Sequence, residues 1–127
     1  GRKFSIVTPV DQTIGTSIDL AVKYGFRESL ASVRSAGISV LDINKDPDIA
    51  AKLSLDAARK AKNEDGSDCI VLGCMSLAFA GFDKVASKEL GIPVINPAIA
   101  SLKMLETLIE MKISHSKKAY PTPASML

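Results

Sequence analysis

Four short runs in the chain are almost continuously apolar and rich in valine or isoleucine: residues 4–8, 39–43, 69–73 and 93–95. Runs of that length and character predict strands covered on both faces. The stretches between them carry a different rhythm. Ile49, Leu53, Ala57 and Ala61 recur every four residues while Lys52, Arg59, Lys60 and Lys62 take the other face, which predicts an amphipathic helix. Asp46-Pro47 supplies its cap and first-turn proline, and Asp65-Gly66 its stop. Downstream, Met75, Ala78, Phe79, Phe82, Ala86 and Leu90 make a second apolar stripe that Gly91 ends. Asn96 and Pro97 then open a third, with Ile99, Leu102, Leu105, Leu108 and Ile109 on one face. Near the N-terminus, residues 13–24 have helical spacing, and residues 26–33 read as a further short helix.

Alternating strands and helices imply a parallel sheet with right-handed crossovers and helices on both faces, an α/β fold of three layers. A length of 127 residues with 46% hydrophobic content suits one core. The predicted organisation is a single α/β domain over residues 1–113, followed by a C-terminal arm, residues 114–127, that lacks a period and contains Pro121 and Pro123.

Composition narrows the function. A formal charge of +2 and few aromatic residues argue against a nucleic-acid platform, and no stretch has the roughly 18 apolar residues of a membrane span. Neither nucleic acid nor membrane is an expected partner, and a soluble, cytoplasmic protein is the expectation. The two cysteines, Cys69 and Cys74, match neither a CxxC spacing nor a secreted disulfide framework and should be free thiols.

Ligands of open parallel sheets collect at the carboxyl ends of the strands, where loop amides and helix N-termini point. That rule selects Thr8 to Gln12, Ile43 to Asp46, Gly73 to Ser76, and Asn96 with Pro97. Among them Cys74 stands between a strand and the start of a helix, where unpaired amides stabilise negative charge and favour a thiolate base. Gly73 permits the tight turn. The amides of Met75 and Ser76, with the Ser76 hydroxyl, can hold a carboxylate or a developing enolate oxygen. Taken singly, each has a plainer account: Cys74 as packing, Ser76 as a cap, Thr8 as a strand end, Asn96 as a cap. Cys69, at the other end of its strand, reads as a small buried hydrophobe. His115, the single histidine, falls after the last helix, and no histidine and carboxylate complete a triad with Cys74.

The string DGSDCIVLGCMSLAF, followed by LGIPVINPAIASLKMLETLI and SHSKKAYPTP, resembles the C-terminal half of hydantoin and allantoin racemases in the aspartate/glutamate racemase superfamily. GRKFSIVT, Tyr24-Gly25 and SVRSAGISVLDI resemble the earlier part of the same half, so the likeness spans nearly the whole chain. The resemblance implies a flavodoxin-like half of a two-domain fold with a mainly parallel four-stranded sheet. It implies cofactor-independent racemisation of a small molecule, a 5-substituted hydantoin or allantoin, with no metal. Two cysteines act from opposite sides of a cleft between similar halves. Cys74 matches the second of them, surrounded by Gly73, Met75 and Ser76, and Thr8 matches a hydroxyl near the ligand.

Departures qualify the substrate. Glutamate racemases usually follow this cysteine with Thr-His, whereas Met75-Ser76 stands here, and Pro9 replaces a second hydroxyl after Thr8. The half carrying the first cysteine would precede GRKFSIVT, and the chain begins at Gly1 rather than Met. The expectation is therefore a racemase piece, inactive alone, whose partner is the missing N-terminal half or, by pseudo-symmetry, a second copy in a homo-oligomer. Rival expectations are an aspartate or glutamate racemase, another cysteine-dependent member of the superfamily, or a non-catalytic α/β module that binds an anion or a partner.

Overall fold

Strand β1 (Phe4–Thr8) runs through the middle of the sheet in the computed structural model, which describes residues 1–126. β2 (Leu30–Ser35) and β3 (Cys69–Leu72) flank it, and β4 (Val94–Ile95) lies beyond β3, giving the order β2-β1-β3-β4. Every pairing is parallel. Such a sheet requires crossovers. The β1 to β2 step runs opposite to the other two, so right-handedness puts the intervening α1 (Ile14–Lys23) on one face and both α3 (Pro47–Glu64) and α5 (Phe82–Leu90) on the other.

The α3 and α5 face holds the core. Ser5, Val7, Ile70, Leu72 and Val94 share that side of the sheet by their register and are all buried. Ala50, Ala57, Ala58 and Ala61 of α3 meet them with small side chains that let the helix lie close, and Phe82, Ala86 and Leu90 of α5 complete the cluster. A buried hydroxyl, Ser5, is satisfied by Ser32 at 2.9 Å. The opposite face is less covered: the lateral row Ile6, Val71 and Ile95 is only partly shielded.

The strands over residues 4–8, 69–73 and 93–95 form essentially where predicted, but residues 39–43 do not. They belong to α2 (Val40–Lys45), and the remaining strand is β2, inside the stretch read as a short helix. The reason is capping. Ser39 Oγ accepts from the Asp42 amide at 3.2 Å and donates to the Asp42 carboxylate at 2.6 Å, a Ser-x-x-Asp start that outweighs the apolar run. β2 was hidden because it is an edge strand whose sequence, LASVRS, carries Ser32, Arg34 and Ser35. Before it, Arg27–Ser29 makes a single 3-10 turn.

Two helical readings also shift. The buried line of α3 is Ala50, Ser54, Ala57, Ala58 and Ala61, whereas Ile49 and Leu53 are exposed. The stripe from Met75 to Leu90 is two helices, α4 (Met75–Phe79) and α5, broken at Gly81, whose φ of 72° lies in the left-handed region. The last helix, α6 (Pro97–Glu110), opens at Asn96 as predicted, its side chain accepting from the Ala98 and Ile99 amides. Yet Ile99, Leu102, Leu105 and Ile109, the face assigned to the core, are exposed, Leu105 by 57% and Ile109 by 74%.

Arg34 ties the edge of the sheet to the end of α3: its Nε and Nη2 donate to Asp65 at 2.6 and 2.7 Å, and Nη2 also reaches Glu64 at 2.7 Å. The Arg34 hydrogen bonds hold the Asp65 carboxyl below its ordinary value of 3.8. A lowered carboxylate contributes stability above the unfolded value and loses it as pH falls through the folded one. Asp65→Asn should therefore cost about 1 kcal/mol at neutral pH, read as a lower thermal midpoint. The difference from the parent should begin to shrink as pH falls to 3.8 and vanish below the lowered value. A difference that persists unchanged in acid would refute the assignment.

Candidate active site

The exit of β3 is pressed against β1. Gly73 donates its amide to the Val7 carbonyl at 2.8 Å, the last rung of that ladder. A Cβ at Gly73 would fall 2.9 Å from Cγ2 of Ile6, 3.0 Å from Cγ2 of Thr8 and 3.2 Å from the Val7 carbonyl oxygen. Only hydrogen fits there, and the other side of Gly73 is open to solvent. The next residue turns the chain. Cys74 has extended backbone angles, φ −143° and ψ 133°, and occupies the N-cap of α4. Its side chain makes no capping hydrogen bond, which leaves the first-turn amides of α4 without a side-chain acceptor. The thiol is half-buried against the edge of the core.

Leu77 and Ala78 are buried and anchor α4, while Met75 and Phe79 project outward. Ser76 is half-buried and joins Ile43, Asn44, Pro47, Phe79 and Ala80 around a cleft of about 540 Å³ between α2, the start of α3, and α4. Thr8 lies beside Gly73 but is fully buried, its hydroxyl donating to the Val10 carbonyl at 3.2 Å and its methyl facing the glycine. Thus Thr8, Gly73, Cys74, Met75 and Ser76 form one contiguous corner at the carboxyl ends of β1 and β3, with Thr8 behind the glycine rather than in the opening.

Cys69 is at the other end of β3, paired laterally with Phe4, and buried. Both cysteines are free thiols. Burial raises the pKa of the Cys69 thiol, which keeps it protonated and unreactive. His115 is exposed near Lys117 and Tyr120, apart from this corner. Among the described residues no group of three or more His, Cys, Asp or Glu side chains gathers as a metal site, and no helix is long and apolar enough to cross a membrane.

Two residues of this region escaped the sequence reading, Pro47 and Asp83. Ile43 and Asn44, selected there as the end of a strand, do reach the cleft beside Ser76, but from helix α2, and Pro47 joins them from the start of α3. Asp83, at the start of α5, is buried and accepts from the Asn96 amide at 2.9 Å. A carboxylate two residues after a helix-breaking Gly81, inside an apolar stripe, was the available signal. The corner as a whole offers a thiol, an approachable backbone at Gly73, and uncapped amides and a hydroxyl immediately after it. That set can remove a proton from carbon and receive the charge that develops on an adjacent oxygen.

Residues 1–105 match the family described as Asp/Glu/Hydantoin racemase. The chain is 32% identical to a hydantoin racemase of a Pseudomonas species over 95% of its own length and 48% of the relative's. It is 35% identical to a hydantoin racemase of Rhizobium meliloti, over 94% of the chain and 50% of that protein. The crystal structure of an allantoin racemase from Pseudomonas fluorescens superimposes with a TM-score of 0.86 at 33% identity, covering 98% of this chain and 52% of that one. The chain thus spans about half the length of the relatives it matches.

The contact at Gly73 has a direct test. Gly73→Ala should destabilise the fold by about 1–3 kcal/mol, because the methyl group has β1 backbone and two β1 side chains in its way. Gly15→Ala, where nothing lies within 4 Å of the added carbon, should instead be neutral or stabilising by up to about 1 kcal/mol. Chemical denaturation of both variants checks this, and equal effects would contradict the packing described.

Proposed function

The chain belongs to the Asp/Glu/Hydantoin racemase family, and from that premise we propose that it supplies one of the two proton-transferring thiols of a cofactor-independent racemase. Its substrate is a 5-substituted hydantoin or allantoin. The observation that carries this reading is the placement of Cys74: half-buried, at the exit of a central parallel strand, beside a glycine that leaves the backbone approachable.

The stereocentre of such a ring lies between a carbonyl and a nitrogen, and its hydrogen is acidic because the resulting carbanion is an enolate. Cys74, as thiolate, takes the hydrogen from one face; the C–H bond breaks and an S–H bond forms. The Met75 and Ser76 amides and the Ser76 hydroxyl receive the enolate oxygen, in a site where such donors are already oriented. A thiol on the opposite face returns a proton to the carbon, which inverts it and leaves that second sulfur as the thiolate. Thr8 supports Gly73 from behind and fixes the strand end. Cys69, buried and protonated, stands outside the reaction.

The second thiol lies in a region outside this chain, the other half of the full-length racemase. On this reading residues 1–113 are the second half of the racemase and residues 114–127 an arm, of which Leu127 lies outside the described residues. Support comes from the relatives' twofold length and from α6, whose apolar residues Ile99, Leu102, Leu105 and Ile109 are 46%, 54%, 57% and 74% exposed. The other half covers that face.

Two outcomes follow. In the full-length protein, Cys74→Ala should lower racemisation of hydantoins or allantoin, followed by optical rotation, by about 10³-fold or more, and this chain alone should give none. Full activity in Cys74→Ala would remove the assignment. Leu105→Asp should change the stability of the isolated chain by no more than about 0.5 kcal/mol, yet cost the full-length protein about 2–5 kcal/mol. Equal small effects in both would show that α6 stays uncovered.

A further inference from the structure

Behind the Cys74 helix lies a buried polar cluster that the reaction itself does not use. Asn96 and Asp83 are only 8% and 9% exposed. The Asn96 side-chain amide nitrogen donates to the Ala78 carbonyl at 3.0 Å and to the Asp83 carboxylate at 2.9 Å. Its oxygen accepts from the Ala98 and Ile99 amides at 3.0 and 3.2 Å. One side chain therefore joins the end of α4, the beginning of α5 and the beginning of α6, and all of its hydrogen-bonding capacity is used.

α4 is short. It has five residues, one of its ends breaks at Gly81, and Leu77 and Ala78 are its buried anchors while Phe79 beside the break is exposed. Its helical hydrogen bond from the Ala78 amide closes on the carbonyl of Cys74 at 3.3 Å. Ala78 is thus bound on one side to Cys74 and on the other, through its carbonyl, to the Asn96 side chain at 3.0 Å and the Gly81 amide at 3.2 Å. Asp83 is the one side-chain partner in this arrangement: it accepts the second N–H of the Asn96 amide, beside the Ala78 carbonyl, and so reinforces the orientation that the Ala98 and Ile99 amides set at the oxygen. A buried carboxylate is costly to hold where an apolar side chain would pack, so its presence calls for a specific task.

We propose that Asp83 is a positioning residue for the Cys74 turn: it reinforces the orientation of Asn96, Asn96 holds the carbonyl of Ala78, and the one-turn helix keeps Cys74 and the amides after it in register with Gly73. The inference rests on the reading of Cys74 as the acting thiol. The substrate class touched by Asp83 is none; it acts at one remove.

Alkylation of Cys74 by iodoacetamide across a pH series, followed by mass spectrometry in this chain, is the test, since buried Cys69 stays unmodified under native conditions. Asp83→Ala should slow alkylation at fixed pH by about tenfold and move the midpoint of the pH profile. Asp83→Asn, which keeps an oxygen for the Asn96 amide, should return the rate to within about twofold of the parent. In the full-length racemase Asp83→Ala should lower kcat more than it raises KM. A folded Asp83→Ala, judged by circular dichroism, with the parent's alkylation profile would overturn the proposal. If Asp83→Ala does not fold, Asp83→Glu, which keeps the charge but moves the acceptor by one methylene, is read in its place with the same two outcomes. Failure of the Cys74 assignment is seen separately, as activity retained by Cys74→Ala with the alkylation effect intact.

Discussion

The contact between Gly73 and β1 governs the geometry of the corner. With no Cβ at that position, the exit of β3 lies against Ile6, Thr8 and the Val7 carbonyl while still completing the last rung of the ladder. The chain can then turn at once, and Cys74 leaves the sheet in an extended conformation as the first residue before α4. A side chain at position 73 would push the strands apart or end the ladder a residue earlier, and the thiol would move with it. Close strand contact behind and an open backbone in front are two sides of the same choice of glycine.

A layered asymmetry follows from the sheet. The face under α3 and α5 is packed tightly by alanines, whereas the opposite face leaves Ile6, Val71 and Ile95 partly bare. The apolar residues of α6 are exposed as well. Parallel sheets are normally covered on both sides. The matched relatives are about twice as long as this chain. α6 is fixed at its N-terminus by Asn96, which also bonds the end of α4, so the two helices share one junction.

Much of this was legible before any coordinates. Continuous apolar runs marked β1, β3 and β4, which pair on one or both sides with other strands, and Asp46-Pro47 and Asn96-Pro97 marked two helix starts by capping chemistry alone. β2 was lost because an edge strand alternates with polar residues: Ser32 bonds Ser5, and Arg34 bonds Glu64 and Asp65, partners that local sequence does not reveal. Its place was given to residues 39–43, where the Ser39 and Asp42 cap decides for helix. The corner at Gly73 and Cys74 was readable because strand-end position and residue type agree. Its support from Asp83 and Asn96 was not, since it joins residues 13 apart in sequence across three helices.

The account stands on Cys74 working one face of the substrate carbon while another thiol works the other. Hydrogen–deuterium exchange at that carbon, followed separately for each pure enantiomer in D2O with the full-length protein carrying Cys74→Ser, tests it most directly. The account predicts that one enantiomer still exchanges, with its configuration retained, while the other does not exchange. Exchange of both enantiomers at the parent's rates, with racemisation intact, would contradict it.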